Sequence, residues 1–447
     1  MKKVIISFII LAIIPISIFW IVVQEGYDKQ NKYILFIKKF IPSHISRSIR
    51  DTVFIIPKKI NERKLNKLLI QKKQQGFDGK IVRKKITKSQ NKKKVEYKEY
   101  FLPFDKLDTS IGYQAESGSL RAHYLEIVDD KVIAISGKGK TIFFSKNNLG
   151  KDQLNQNPLP NNISKILKKN NYKLIGIRSL FYNNSKIYIS LLFKSSKGYS
   201  MNVYVADLSY DKLIFKLFFP TDNFTKDYNI HSAGRITKFK ENNLILSTGA
   251  PKKTRENAQN IKSFEGKILS LNLDDKKPKV VSLGHRNAQG LFYDRDLDLI
   301  INTEHGPKGG DEINFNRVQE NKKTPNYGWP ISSYGIEYSG SDPFKKSHKK
   351  YGFIEPLKNF SPSIGISEII YVKKNQNEYL NNSLIVSSLR ASSIYVLQLD
   401  EKQTKIISED RIYFPNQRIR DIAFDKDSNI LIMMFEQIPS VGIILFE

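Results

Sequence analysis

The chain has 447 residues, 40% of them hydrophobic with 27 Phe and 22 Tyr, which excludes wholesale disorder and suits one large repeat fold with appendages. Cysteine is absent, which excludes disulfide scaffolds, thiolate zinc sites and a cysteine nucleophile. The net charge of +29 suggests nucleic acid or an anionic membrane, but 58 of the 73 basic residues are Lys, a composition better suited to solvation than to base readout by arginine forks.

The first element is an apolar run, Val4 to Val23, which is 20 residues without a charge behind Lys2 and Lys3. As a helix rising about 1.5 Å per residue it matches a hydrocarbon core of about 30 Å. No small-residue cleavage site follows in Ile21-Val22-Val23-Gln24-Glu25, so the run is expected to be an uncleaved anchor rather than a cleaved export signal. Lys29, Lys32, Lys38 and Lys39 after the span give the positive-inside rule no reason to export the carboxyl side. Residues 24–100 then carry 22 Lys and Arg against 7 Asp and Glu, whereas residues 101–447 carry a surplus of only 12. The basic stretch holds no zinc-finger spacing and no aromatic RNA-binding signature, so nucleic acid is not expected as a partner. It reads as a solvated linker, 24–105, between an anchor, 1–23, and a folded unit, 106–447; a polybasic segment lying on the membrane is the competing reading.

The folded unit repeats. Short apolar, β-branched runs begin at Val132, Ile187, Leu244, Leu299, Leu384 and Ile430, each behind a turn rich in Asp, Asn or Lys. The spacings are 55, 57, 55, 85 and 46 residues. Second strand-like stretches follow several of them, such as 202–205, 267–271 and 394–397. Runs of this length and period without helical periodicity predict an all-β, six-bladed β-propeller, with two β-sandwiches as the alternative. The long interval predicts an insertion between blades four and five, covering residues 305–350, where Gly, Pro, Tyr and Trp329 concentrate.

Three motifs fall close together: Gly284-His-Arg-Asn-Ala-Gln-Gly290, Thr303-Glu-His-Gly-Pro-Lys-Gly-Gly-Asp-Glu-Ile-Asn314 and Asn326-Tyr-Gly-Trp-Pro330. In this order they closely resemble the soluble quinoprotein glucose/sorbosone dehydrogenases, six-bladed propellers that use pyrroloquinoline quinone (PQQ) and calcium. The resemblance implies oxidation of an aldose or similar sugar hydroxyl, with electrons passing to an acceptor that the sequence does not identify. His231, in His231-Ser-Ala-Gly-Arg235, matches the family's catalytic histidine, and a neutral imidazole suits a base near pH 7. Arg286 and Asn287 match residues that contact the cofactor, with Gln289 expected nearby. Arg418 and Arg420, in Arg418-Ile-Arg420-Asp421, match a pair facing the cofactor carboxylates; residues two apart on a strand point the same way. Arg390 stands where the family has a cofactor-contacting Lys, and Ser363 aligns with a hydroxyl residue near the cofactor. Gly306 and Pro307 match the pair whose backbone carbonyls ligate Ca2+. Asp311 and Glu312 either reinforce that metal site or stabilise the loop, and Tyr327 and Trp329 are expected to pack the insertion.

Two departures stand out. The family's aspartate that orients the histidine is replaced by Ala250, with Glu256 or Asn257 as candidate substitutes. A Gly-rich stretch bearing a cofactor-contacting Gln is replaced by Ile175-Gly-Ile-Arg178. The expectation is therefore a membrane-anchored propeller outside the cytoplasm that oxidises sugars through PQQ and calcium. A propeller that has lost catalysis and binds a glycan or protein is the alternative. A calcium-dependent lactone or ester hydrolase is weaker, because the sequence offers cations where such a site needs a carboxylate cage.

Overall fold

Each of the six apolar runs becomes the second strand of an antiparallel sheet, buried on both faces. Alternate residues serve opposite neighbours: Leu244 and Leu246 pack with Tyr188, Leu192 and Val203 of one sheet, while Ile245 packs with Leu291 and Ile300 of another. A strand covered on both sides needs a continuous apolar run rather than strict alternation, which is why the repeats were readable. In this computed structural model the described residues are 81–89, 91, 94–104, 122–222, 224–226, 232–317, 323–337, 344–415 and 417–446, with isolated positions 63, 66, 67 and 70.

Strands β1 (Ile81–Lys88) and β2 (Lys94–Phe101) come first. Blade one holds β3 (His123–Val128), β4 (Lys131–Ser136), β5 (Thr141–Ser145) and β6 (Asn157–Pro158). A short helix, α1 (Ile163–Lys169), leads into blade two, which holds β7 (Lys173–Asn183), β8 (Lys186–Ser195), β9 (Gly198–Asp207) and β10 (Lys216–Pro220). Blade three holds β11 (Ala233–Phe239), β12 (Asn243–Thr248), β13 (Lys267–Asn272) and β14 (Pro278–Leu283). Blade four holds β15 (Ala288–Asp294), β16 (Leu299–Glu304), β17 (Asp311–Arg317) and β18 (Lys358–Phe360). Blade five holds β19 (Ile366–Val372), β20 (Ser383–Ser388), β21 (Ser393–Leu399) and β22 (Ile406–Tyr413). The last sheet has five strands, in the order β1-β2-β25-β24-β23, where β23 is Ile419–Asp425, β24 Ile430–Phe435 and β25 Ser440–Leu445. The first strands β3, β7, β11, β15, β19 and β23 pack side by side around the axis, and β23 returns to β3.

Two sequence expectations change. The basic stretch is not linker throughout: β2 pairs with β25, so residues 81–104 belong to the propeller and close its ring. Tyr100, Leu102 and Phe104 are buried against blade one, and Tyr97 packs on Phe414 of the loop after blade five. Glu99, 1% exposed, accepts hydrogen bonds from Gln417 (2.7 Å) and the Ser440 hydroxyl (2.7 Å). Two Lys and two Glu interspersed with Val95, Tyr97, Tyr100 and Phe101 kept the charge count high although both faces of the strand are buried, and composition hid it. The insertion, in turn, lies inside blade four rather than after it, because Asp311, Glu312 and Ile313 pair with Phe360, Asn359 and Lys358. The predicted span 4–23 lies outside the described residues; among those described, no helix is long and apolar enough to cross a membrane.

The closing strands yield a test. A chain beginning at residue 102 strips β25 of its partner and uncovers the aromatic contacts, so its melting temperature should fall by about 10 °C or more relative to a chain beginning at residue 79. Equal melting temperatures in differential scanning calorimetry would contradict this closure.

Candidate active site

The first strands of the blades run in one direction, and their amino ends define one face of the ring. At that end β11 begins on Ala233-Gly234-Arg235. Gly234 has φ +104°, and an ideal Cβ there would lie 2.6 Å from Cβ of Arg178, so the ring can close this tightly only on glycine. The guanidinium of Arg235 lies on the axis. It donates from Nε to the Gln289 carbonyl (3.2 Å), from Nη2 to Asp421 (2.5 Å) and also to Glu368, and it sits 4.9 Å from the Tyr124 ring centroid. Asp421 also accepts from Leu125 N (2.9 Å), and Glu368 accepts from Leu291 N (3.1 Å) and Ile369 N (2.9 Å). Burial works against the charge on Arg235, but Asp421 and Glu368 overcome it and hold the group firmly cationic. Burial dominates at Glu368, opposed by Arg235 and reinforced by Asp421, and raises it to about 8. Glu126, facing the same group, is also raised well above its ordinary value by burial and by Asp421.

Above this hub five of the predicted cofactor residues converge, Arg286, Asn287, Gln289, Arg418 and Arg420. Arg420 donates from Nη1 to the side-chain oxygen of Gln289 (2.9 Å), and Gln289 donates to Asn287 Oδ1 (2.9 Å), which also accepts from Ala233 N (3.0 Å). Arg418 and Arg420 both bond Glu436, at 2.7 and 2.9 Å. Burial alone would raise Glu436; the two arginines overcome it and hold the carboxyl at about 2. Arg286 donates to the His305 carbonyl (2.7 Å), and its Cζ stands 5.3 Å from the Trp329 ring centroid. His305 joins the set. Burial, then the charges of Arg420 and Arg286 and finally of Arg418, push its imidazole down to about 3, so it is neutral, and its buried Nε2 has no hydrogen-bond partner. Three guanidinium groups thus stand around a neutral imidazole, a cationic cluster of the kind that can hold carboxylates.

The loop beside it is tightly braced. Asp311 accepts from Gly306 N (3.2 Å), Gly365 N (2.7 Å) and Ile366 N (3.0 Å), which favours the loop-stabilising role for this residue. Glu312 bonds His348 Nε2 (3.1 Å). Ser363 accepts from Gly309 N (2.9 Å) and Gly310 N (3.2 Å) and donates to the Pro307 carbonyl (3.1 Å). That carbonyl also accepts from Gly310 N (3.2 Å), so both its lone pairs are engaged, and among the described residues no group of three or more carboxylates or imidazoles could hold a metal. Arg390 is exposed, its backbone N bonding the Ile364 carbonyl (2.9 Å) at the turn before β19. It is the predicted site residue least joined to the others.

His231 lies outside the described residues. Ala250 is buried, donates from its N to the Arg286 carbonyl (2.9 Å) and packs with Ala258 and Trp329. Of the two candidate substitutes, Asn257 donates to Glu265 (2.9 Å), and exposed Glu256 pairs with Arg255 (3.3 Å). Arg178, in place of the Gly-rich stretch, donates to the Ala233 carbonyl (3.1 Å). Tyr327 and Trp329 are buried within the insertion; the Tyr327 hydroxyl donates to the Phe315 carbonyl (2.8 Å). Sequence reasoning missed Glu368, Glu436, His305 and Lys267. Fully buried Lys267 donates to the carbonyls of Asn257 (2.8 Å), Ala258 (3.0 Å) and Glu265 (2.6 Å) and so pins the loop carrying Ala250, while burial lowers it to about 8. Only His305 carried a signal, since it lies within a recognised motif.

Two tests follow from the axis. Arg235→Met leaves Glu368 and Asp421 buried together without their cation and should cost about 3–5 kcal/mol in urea unfolding. Glu368 binds a proton in the folded chain that the unfolded chain releases near its ordinary value of 4.5, so its contribution is full below pH 4.5 and is lost as pH rises towards 8. Glu368→Gln should therefore flatten the fall in urea midpoint between those values, and an unchanged slope would refute the assignment.

Comparisons with known proteins agree with this fold. A solved glucose dehydrogenase superposes with a TM-score of 0.61 at 21% identity, covering 74% of this chain and 97% of that one, which supports the fold. Aldose sugar dehydrogenase YliI of Escherichia coli is 27% identical over 221 residues, 46% of this chain and 57% of the relative. Quinoprotein glucose dehydrogenase B of Acinetobacter calcoaceticus is 24% identical over 351 residues, 58% of this chain and 72% of the relative. The chain thus spans little more than half the length of YliI. The Glucose / Sorbosone dehydrogenase family model matches residues 173–438, which is more than half of the chain, and the chain belongs to that family.

Proposed function

We propose that this chain is a sugar dehydrogenase that holds PQQ at the amino ends of its first strands. The observation that carries the reading is the convergence of Arg286, Arg418 and Arg420 on neutral His305, a cationic site in which Glu436 offsets part of the charge of Arg418 and Arg420. Bound there, PQQ would supply an electron-accepting ortho-quinone. Arg286, Arg418 and Arg420 would hold its carboxylates, with Asn287 and Gln289 fixing the rim and Arg390 reaching in from the exposed turn. His231 would take the hydroxyl proton of an aldose or similar sugar. Buried Trp329 and the braced 305–311 loop would keep water from the reacting face.

A calcium ion at the Gly306 and Pro307 carbonyls belongs to this reading on one condition: the Ser363 hydroxyl must release Pro307. Residues 4–23 would tether the propeller to a membrane on its outer side, and an acceptor would carry the electrons away. Ala250 favours a second reading, a propeller impaired in catalysis that binds a glycan or protein, because no carboxylate stands at that position to orient a histidine.

Aldose-dependent dye reduction by the full chain, with PQQ and calcium added, separates the two readings. The enzyme reading expects turnover that needs PQQ and falls by about a hundredfold or more in His231→Asn. PQQ binding without turnover favours the impaired propeller. Ser363→Ala, by freeing the Pro307 carbonyl, should lower the calcium concentration needed for half-maximal activity, and an unchanged requirement would place calcium elsewhere.

A further inference from the structure

Blade two differs from the other blades in length and in charge. Its strands β7, β8 and β9 run 11, 10 and 10 residues, against 6 for β4, β12, β16, β20 and β24. The extra length lies on the pocket side. Ser190 in β8 donates to the Gly234 carbonyl (2.5 Å) at the amino end of β11, and β8 continues five residues further, to Ser195. At 3.2–3.4 Å per residue this carries β8, as a ridge, about 16 Å past Ser190, on the ring face where the first strands begin. Residues 163–226 carry eleven Lys and Arg against three Asp, a surplus of eight out of the twelve carried by residues 101–447.

The ridge tip is basic. Exposed Lys194 stands 5.0 Å from the Tyr199 ring centroid, and exposed Lys197 stands 5.6 Å from that of Phe224. Tyr199 and Thr225 exchange backbone hydrogen bonds, at 2.8 and 3.0 Å, which brings exposed Lys226 to the same tip. None of these three lysines forms an ion pair with a described carboxylate, whereas Lys186 at the far end of the blade pairs with Asp207 (2.6 Å). The blade's exposed apolar residues, Ile214 and Leu217, are on or just before outer strand β10; Leu217 pairs with Tyr204, below the level of the ridge. The tip therefore offers charge without the apolar residues that insertion into a lipid surface uses.

We propose that this ridge tip, formed by Lys194, Lys197 and Lys226, is the docking surface for an acidic electron-carrier protein. The proposal rests on the sugar dehydrogenase reading and supplies its acceptor by chemical class. Each hydroxyl oxidised to a carbonyl releases two electrons and two protons; the carrier takes the electrons, and the protons pass to solvent. Lysines on a projecting strand at the same face as the candidate site would steer such a carrier towards that face and release it readily, since exposed charges bind weakly and are screened by salt.

The test uses the full chain in two arms. A fluorescent deca-glutamate peptide, followed by anisotropy without cofactor, should bind about tenfold more weakly to Lys194→Glu/Lys197→Glu/Lys226→Glu than to the parent. The same charge reversal at Lys186, Lys212 and Lys216 should change binding by less than about twofold, so the basic amino-terminal segment, common to both, cancels. In the PQQ-loaded chain, the ridge variant should slow ferricyanide reduction and speed hexaammineruthenium(III) reduction, each less so at high salt. Equal peptide binding by the two triple variants overturns the proposal, as does an unchanged ratio of ferricyanide to ruthenium rates. Loss of binding to phosphatidylserine vesicles with peptide binding intact also overturns it, in favour of a membrane. Absence of sugar-dependent reduction of either acceptor overturns the sugar dehydrogenase reading along with it, whereas ruthenium reduction with an unmoved ratio overturns the docking proposal alone.

Discussion

The Arg235 guanidinium is the interaction on which this propeller depends. One side chain of blade three bonds carboxylates of blades five and six, a carbonyl of blade four and the ring face of Tyr124 in blade one. Blade two joins through Ser190 and Arg178, which donate to the Gly234 and Ala233 carbonyls. Sheets that meet largely through apolar faces and a few side-chain-to-backbone bonds, such as Ser247 to the Ala288 carbonyl (3.0 Å) and Ser367 to the Ile419 carbonyl (2.6 Å), could otherwise slide or tilt against one another. A buried, multiply bonded charge fixes their relative position, because leaving any of its carboxylates without the cation is costly. The three carboxylates around it, Glu126, Glu368 and Asp421, outnumber the cation, which is why burial leaves the first two with raised affinity for a proton.

The same geometry passes upward to the pocket. Gln289 gives its carbonyl to Arg235 and its side-chain oxygen to Arg420, so the hub and the candidate anion site share one residue. Glu436 aligns Arg418 and Arg420 while cancelling only part of their charge. The floor of the site is thus rigid, with side chains held by second partners before any ligand arrives, an arrangement that lowers the ordering cost of binding.

The fold was legible because each propeller strand in a second position is covered on both faces and must be apolar throughout, as in Leu244, Ile245 and Leu246. The closing strands were not, since Tyr97 and Tyr100 are buried on opposite faces of Lys94–Phe101, and Lys and Glu interspersed among them left no continuous apolar run. The insertion was placed one strand late for a similar reason: β18 has only three residues, Lys-Asn-Phe, too few to show a pattern. In the site, motif residues Arg286, Asn287, Gln289, Arg418 and Arg420 are brought together. Glu368 and Glu436 had no motif around them. Glu368 reveals its role only when folding sets it against Arg235 of another blade, and Glu436 only when the hairpin of its own blade sets it beside Arg418 and Arg420. His231, the predicted base, lies outside the described residues, and Ala250 beside the Arg286 backbone remains the sharpest departure from the family's pattern.

The central claim is that guanidinium groups at the end of the axis make a site for a polycarboxylate cofactor. Equilibrium titration of the full chain with PQQ, compared with Arg286→Met and Arg420→Met, tests it most directly. The account predicts one equivalent bound by the parent and a loss of about tenfold to a hundredfold in affinity for each variant, the scale of one charge-assisted hydrogen bond. Binding of equal strength by all three proteins, or no binding by the parent, would contradict it.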